Sequence, residues 1–181
     1  MTEDARLPGD PTEQAEVARM IRVDHAGEYG AARIYAGQLA VLGRGPSGDV
    51  LRHMQEQEKR HLLAFEDLIA RRRVRPTALL PFWHLAGFAL GAATAALGER
   101  AAMACTVAVE EAIDAHYARQ SASLSTREAA LRDTIEAFRA EELEHRDIGL
   151  AHGAEQAPGY RLLSRAIKTG CRVAIRASEI L

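Results

Sequence analysis

Cysteine is nearly absent. The 181-residue chain has two, Cys105 and Cys171, far apart and in no Cys-x-x-Cys pair. That excludes a disulfide framework and suits a reducing compartment, where both are expected to be small packed hydrophobes. Charge imbalance is absent too: a formal net charge of −2 and a pI near 6.4 leave no signature of nucleic-acid binding. No strand pattern occurs anywhere, so an all-α fold is expected. Met1–Glu16 lacks an apolar run and carries Glu3, Asp4, Glu13 and Glu16. No signal peptide is expected, which places the protein on the cytoplasmic side. The length fits one domain over 1–181 with a real core, preceded by a loose polar arm at 1–10.

What is present is helical. Asp10-Pro11-Thr12-Glu13 predicts a helix start, with Asp10 as N-cap and a helix running to about Leu42. The Gly43–Gly48 loop breaks the chain, and a second helix is expected over about 49–73, ending in Arg71, Arg72, Arg73 and Arg75. From Pro76 to Gly98 no residue carries a formal charge. Three readings of that run stay open: a buried central helix, a helix lying in a membrane interface, or a span. The neighbouring arginines favour the interface over the span, because they suit anionic headgroups. Gly87 and Gly91 permit close helix contact. Further helices are expected over about 99–121, 126–151 (opened by a capping box at Ser125–Glu128) and 160–179. The last carries a basic stripe, Arg161, Arg165, Lys168, Arg172 and Arg176, read as a solvated face or a surface for membrane or an anionic cofactor.

Two stretches organise the rest: Glu58-Lys59-Arg60-His61 and Glu142-Leu143-Glu144-His145. Residues three apart share a helix face, so each aims a carboxylate and an imidazole at one point. Glu-x-x-His alone is weak, since 17 of 181 residues are Glu. The stronger signal is Glu28 upstream of the first and Glu110 upstream of the second, each inside a helical segment. Glu…Glu-x-x-His twice is the ligand pattern of ferritin-like di-iron and di-manganese bundles. The expected fold is therefore an antiparallel ferritin-like four-helix bundle with two additional helices, one of them apolar. Glu58 and Glu142 are expected to bridge two metals, with Glu28 and Glu110 as terminal ligands beside His61 and His145. Carboxylate and imidazole ligands suit iron or manganese, and ferrous ions in such a site activate dioxygen. His25, His53, His84 and His152 lack the spacing and are expected to be structural or on the surface. Tyr35 and Tyr117 follow Glu28 and Glu110 by two turns, which puts them near the site or in the core. Asp24 is a candidate to hydrogen-bond a ligand histidine.

Val23–Ala31, Cys105–Glu111, Glu141–Leu150 and Gly170–Ile175 together resemble the demethoxyubiquinone hydroxylases, and the likeness covers roughly residues 15–181. The resemblance implies a membrane-associated di-iron monooxygenase that hydroxylates the ring of a demethoxyubiquinol with O2 in ubiquinone biosynthesis. It implies the same six metal ligands. It also implies that His116 and Tyr117 help electrons reach two iron ions from NADH or the quinol, and that Arg19 and Arg172 line a quinone or nucleotide entrance. Ile180 departs from relatives that carry Arg there, which weakens any basic C-terminal contact. The apolar 77–97 helix would rest at the cytoplasmic face of the inner membrane and open a path for the lipid. A lipid-presenting protein and a homo-oligomer are both compatible with this reading. The rivals are a ferritin-like ferroxidase or peroxidase, and an inactive helical lipid-binding scaffold.

Overall fold

A computed structural model describes Leu7 and residues 9–181. Most of the expected N-terminal arm, residues 1–6 and Pro8, lies outside the described residues. Among those described the chain is all-α. It has helices α1 (Glu13–Leu42), α2 (Gly48–Arg72), α3 (Leu80–Ala96), α4 (Glu99–Ser123), α5 (Ala129–Ala151) and α6 (Tyr160–Ile180), with short 3-10 turns before and after α5. The helices α1, α2, α4 and α5 form the ferritin-like bundle. Short connections make α1/α2 and α4/α5 neighbouring pairs, and α3 and α6 pack against its α1 and α4 side.

The first cap differs from expectation. Thr12, not Asp10, caps α1, its hydroxyl accepting from the Ala15 N–H at 3.2 Å. Asp10 is two residues too early, and its carboxylate accepts from the Leu7 N–H at 2.8 Å instead. At the other predicted cap, Ser125 accepts from Arg127 N–H at 3.2 Å, but Glu128 does not complete the box. Its carboxylate takes a two-point bond from Arg72 at 2.7 and 2.8 Å. Arg71 pairs with Asp67. Arg72 thus ties α2 to the start of α5, while Arg73 and Arg75 of the same cluster are exposed. Arg73 ends α2 in the left-handed region (φ 53°), with Val74 N–H returning to the Ile69 carbonyl at 3.0 Å.

The central helix is α4, in which every residue from Ala101 to Glu110 is buried. The uncharged α3 is instead an outer helix, so the buried-centre reading of that segment fails. An uncharged composition says nothing about which face is covered, and only Gly87, Gly91, Thr94 and Ala95 of α3 are buried. Glycine sets how closely α3 lies on α1. A Cβ at Gly91 would stand 1.9 Å from the Ile34 carbonyl oxygen, and one at Gly37 would stand 2.2 Å from that of Phe88. The outer face of α3 leaves Phe82, Leu85 and Phe88 exposed. Its 17 residues rise about 25 Å at 1.5 Å each, short of the ~30 Å apolar layer of a bilayer. No helix among the described residues is long and apolar enough to cross a membrane, so the spanning reading fails as well.

Candidate metal centre

Each ligand candidate sits mid-helix on a face turned to the bundle axis: Glu28 on α1, Glu58 and His61 on α2, Glu110 on α4, Glu142 and His145 on α5. All six are buried, none more than 1% exposed. They fall into two overlapping groups whose ligand atoms lie within 4.8 Å of one another: Glu28, Glu58, His61 and Glu142, then Glu58, Glu110, Glu142 and His145. Glu58 and Glu142 belong to both. His61 Nδ1 faces Glu142 Oε1 at 3.1 Å and Glu28 Oε2 at 3.5 Å. His145 Nδ1 faces Glu58 Oε1 at 3.2 Å and Glu142 Oε2 at 3.3 Å.

Such a cluster is costly without cations. Burial, then like-charge repulsion from Glu142, pushes the Glu58 and Glu110 carboxyls well up. Burial also raises Glu28, against the opposing bond to His61. Burial lowers His61, but its bonds to Glu142 and Glu28 outweigh this and lift it to about 11. The same bonds, with His145, overcome the burial of Glu142 and hold it at about 2. Oxygens of Glu28, Glu58, Glu110 and Glu142 and Nδ1 of His145 have no hydrogen-bond partner. Buried orphan acceptors turned to common points fit a pair of divalent ions.

The centre has an internal twofold repeat. Tyr35 on α1 donates to Glu110 Oε1 on α4 at 2.8 Å, and Tyr117 on α4 donates to Glu28 on α1. Both tyrosines, one of the open alternatives in the sequence, therefore touch the cluster. Asp24 corrects an expectation. It holds no ligand histidine, because it lies on the α1 face turned to α4; Oδ1 instead accepts from Gln120 Nε2 at 2.7 Å and His116 Nε2 at 3.3 Å. The far nitrogens of His61 and His145 are held by Glu141 and Gln57, to which sequence reasoning assigned no role. Their signal was available: each immediately precedes the Glu of a Glu-x-x-His. The remaining histidines are structural or exposed. His84 Nδ1 bonds Tyr29 Oη at 2.7 Å, His152 Nδ1 bonds the Ile148 carbonyl at 2.9 Å, His25 is buried and His53 exposed.

Two openings flank the centre. A polar cleft of about 520 Å³ brings Arg19, His116 and Arg172 together with Arg119 and Arg176. An apolar groove of about 470 Å³ runs between α3 and α6 over a floor of α1 and α4. Floor residues Gly27 and Val109 are the chain neighbours of Glu28 and Glu110.

The carboxyl shifts give a pH dependence. Groups whose folded pKa is raised favour the protonated metal-free fold, so that fold loses stability as pH rises above the ordinary carboxyl value. Divalent ions replace those protons. The rise in Tm on adding Mn²⁺ to metal-free protein should be larger at about pH 7.5 than at about pH 5.5, as read by thermal melts.

Residues 15–178 match the family described as ubiquinone biosynthesis protein COQ7. The chain is 60% identical over 179 residues to the 3-demethoxyubiquinol 3-hydroxylase of Rhodospirillum rubrum, covering 98% of this chain and 84% of that protein. It is 56% identical over 176 residues to the mitochondrial NADPH-dependent 3-demethoxyubiquinone 3-hydroxylase of Homo sapiens (95% and 81% covered). It is 44% identical over 178 residues to the mitochondrial 5-demethoxyubiquinone hydroxylase of Saccharomyces cerevisiae (89% and 76%).

Proposed function

The chain belongs to the COQ7 family of ubiquinone-biosynthesis proteins, and from that premise we propose that it hydroxylates the ring of a demethoxyubiquinol with O2 at a di-iron centre. The observation that carries this reading is the juxtaposition of six buried ligand groups with an apolar groove over α1 and α4, two of the four helices that bear them. Glu28, Glu58, His61 and Glu142 would hold one ion, and Glu58, Glu110, Glu142 and His145 the other. When bound, the ferrous pair supplies the activation of dioxygen.

The protein's own residues do the rest. The groove, lined by Ile34, Leu90, Ile113 and Ile167 among others, takes the prenyl chain and the ring and excludes water. Tyr35 and Tyr117 fix the outer carboxylates Glu110 and Glu28 by hydrogen bonds. His116 faces the cleft with Nε2 3.3 Å from Asp24 Oδ1 and 2.9 Å from Gln120 Nε2, linking the polar opening to the interior beside Tyr117. Arg19, Arg119, Arg172 and Arg176 give that cleft a positive lining, suited to the phosphates of a reduced nicotinamide nucleotide. NADH was the expectation from sequence; the human relative's name specifies NADPH.

The exposed Phe82, Leu85 and Phe88 of α3, with Leu162 and Val173 of α6, dock the groove's rim peripherally on the membrane that holds the lipid. Iron storage needs no such groove, which sets the ferroxidase reading aside. Iron-loaded protein given a demethoxyubiquinol, reductant and O2 should yield the hydroxylated ring, seen by mass. Leu85→Glu should lower turnover of a long-chain lipid in vesicles by about tenfold while sparing a short-chain analogue in solution. Quinol-independent iron oxidation with no hydroxylated product would return the weight to the ferroxidase.

A further inference from the structure

The two halves of the centre repeat each other in their ligands and in the tyrosines that hold the outer carboxylates, and they differ in the side chains behind the two histidines. Gln57 precedes Glu58 on α2, and Glu141 precedes Glu142 on α5. Each crosses to the other half. His145 Nε2 donates to Gln57 Oε1 at 3.0 Å, and His61 Nε2 donates to Glu141 Oε2 at 3.2 Å. Gln57 Nε2 donates to the same Glu141 oxygen at 3.0 Å, and so does Arg60 at 3.0 Å.

The chemistry of the acceptors fixes the direction of every bond. A carboxylate has no proton to give, so the shared proton between His61 and Glu141 is the imidazole's. Gln57 has turned its NH2 to Glu141, which leaves only its oxygen for His145. Both imidazoles therefore carry a proton on Nε2, which leaves Nδ1, the nitrogen turned to the buried carboxylates, as the atom that would ligate an ion once ions replace the protons of the metal-free cluster. The acceptors themselves differ: a carboxylate behind His61, an amide behind His145. A carboxylate acceptor raises the basicity of the imidazole more than a neutral one, and so strengthens its bond to a metal on the far side.

We propose that this amide-for-carboxylate difference makes the two metal positions unequal, so that the position faced by His61 holds its ion more tightly than the one faced by His145. Glu141 and Gln57 are positioning residues here, acting through the imidazoles without touching substrate. The inference rests on the two-metal reading, and the experiment separates the two.

Metal-free protein is titrated with Co²⁺ against a chromophoric competitor, a readout independent of turnover. The wild type should bind two ions in separate steps. E141Q should weaken the tighter step by about 10–100-fold and leave the weaker one in place, so that the steps converge. The exchange variant Q57E/E141Q keeps one amide and one carboxylate in the pair and should separate them again. E141Q is isosteric, and a melting curve followed by circular dichroism checks its fold. If it does not fold, the wild-type steps alone decide. Two equal steps in the wild type, or a tighter step that E141Q does not move, overturn the proposal and leave the two-metal centre standing. Binding of fewer than two ions overturns the two-metal reading itself, and the proposal with it.

Discussion

Glu142→Ala should abolish hydroxylation, by about a thousandfold or more, and cut bound iron from about two ions to less than one. Glu142 is one of two carboxylates common to both ligand groups, and it faces the Nδ1 atoms of both histidines. Its removal would take an oxygen from both ligand groups at once, whereas loss of Glu28 or Glu110 would take one from a single group. The helices should survive, because the hydrophobic clusters formed by Ile21, Phe65, Leu131 and Ile135, and by Leu51, Met54, Met103 and Val107, do not depend on this carboxylate. Iron analysis and far-ultraviolet circular dichroism on the same sample check both halves of that expectation. Full iron occupancy with activity lost would mean that Glu142 acts only after the metals are bound.

Gly91→Val should destabilise the protein by about 3 kcal/mol or more, roughly a 10 °C fall in Tm for a chain of this size. The Cβ would stand 1.9 Å from Ile34 O and 2.8 Å from Ile34 C, both backbone atoms. Neither can yield as a flexible side chain would, so α3 has to lift from α1. Lifting α3 removes one wall of the groove, where Gly87 and Leu90 face Leu163 and Ile167 of α6. Quinol binding should fall with stability, while iron binding persists, since all six ligands lie on α1, α2, α4 and α5. Gly30→Ala is the control: no atom lies within 4 Å of its Cβ position. Its melting temperature should be unchanged or slightly raised, as Ala favours helix over Gly. Equal losses in the two variants would mean that the glycines are not what sets the α1–α3 distance.

Much of this architecture is legible in the one-dimensional pattern. Gly43–Gly48 and Gly153–Gly159 break the chain where the helices end, and Glu-x-x-His repeated with its upstream glutamates marks the residues that meet in the interior. Those features are local, or repeat at helical spacing, and each helix face carries them inward. What the pattern withholds is pairing between helices. Nothing along α1 tells that Asp24 turns to His116 and Gln120, or that Tyr35 reaches Glu110 while Tyr117 reaches Glu28. The uncharged α3 was open to three readings because composition reports how apolar a helix is, not what covers it. Its exposed Phe82, Leu85 and Phe88 place it on the outside, and its glycines set how closely it lies on α1. Nor does the pattern tell that Arg72, among the arginines at the end of α2, meets Glu128 of the turn before α5.

One oxygen of O2 should be transferred to a quinol ring at this centre. Anaerobic, iron-loaded protein mixed with a short-chain demethoxyubiquinol and then with ¹⁸O2 tests it in one turnover, with the product read by mass. A hydroxylated ring carrying one labelled oxygen, formed by the wild type and missing from Glu142→Ala, is the predicted result. Oxidised iron with an unlabelled or unhydroxylated quinol would contradict it.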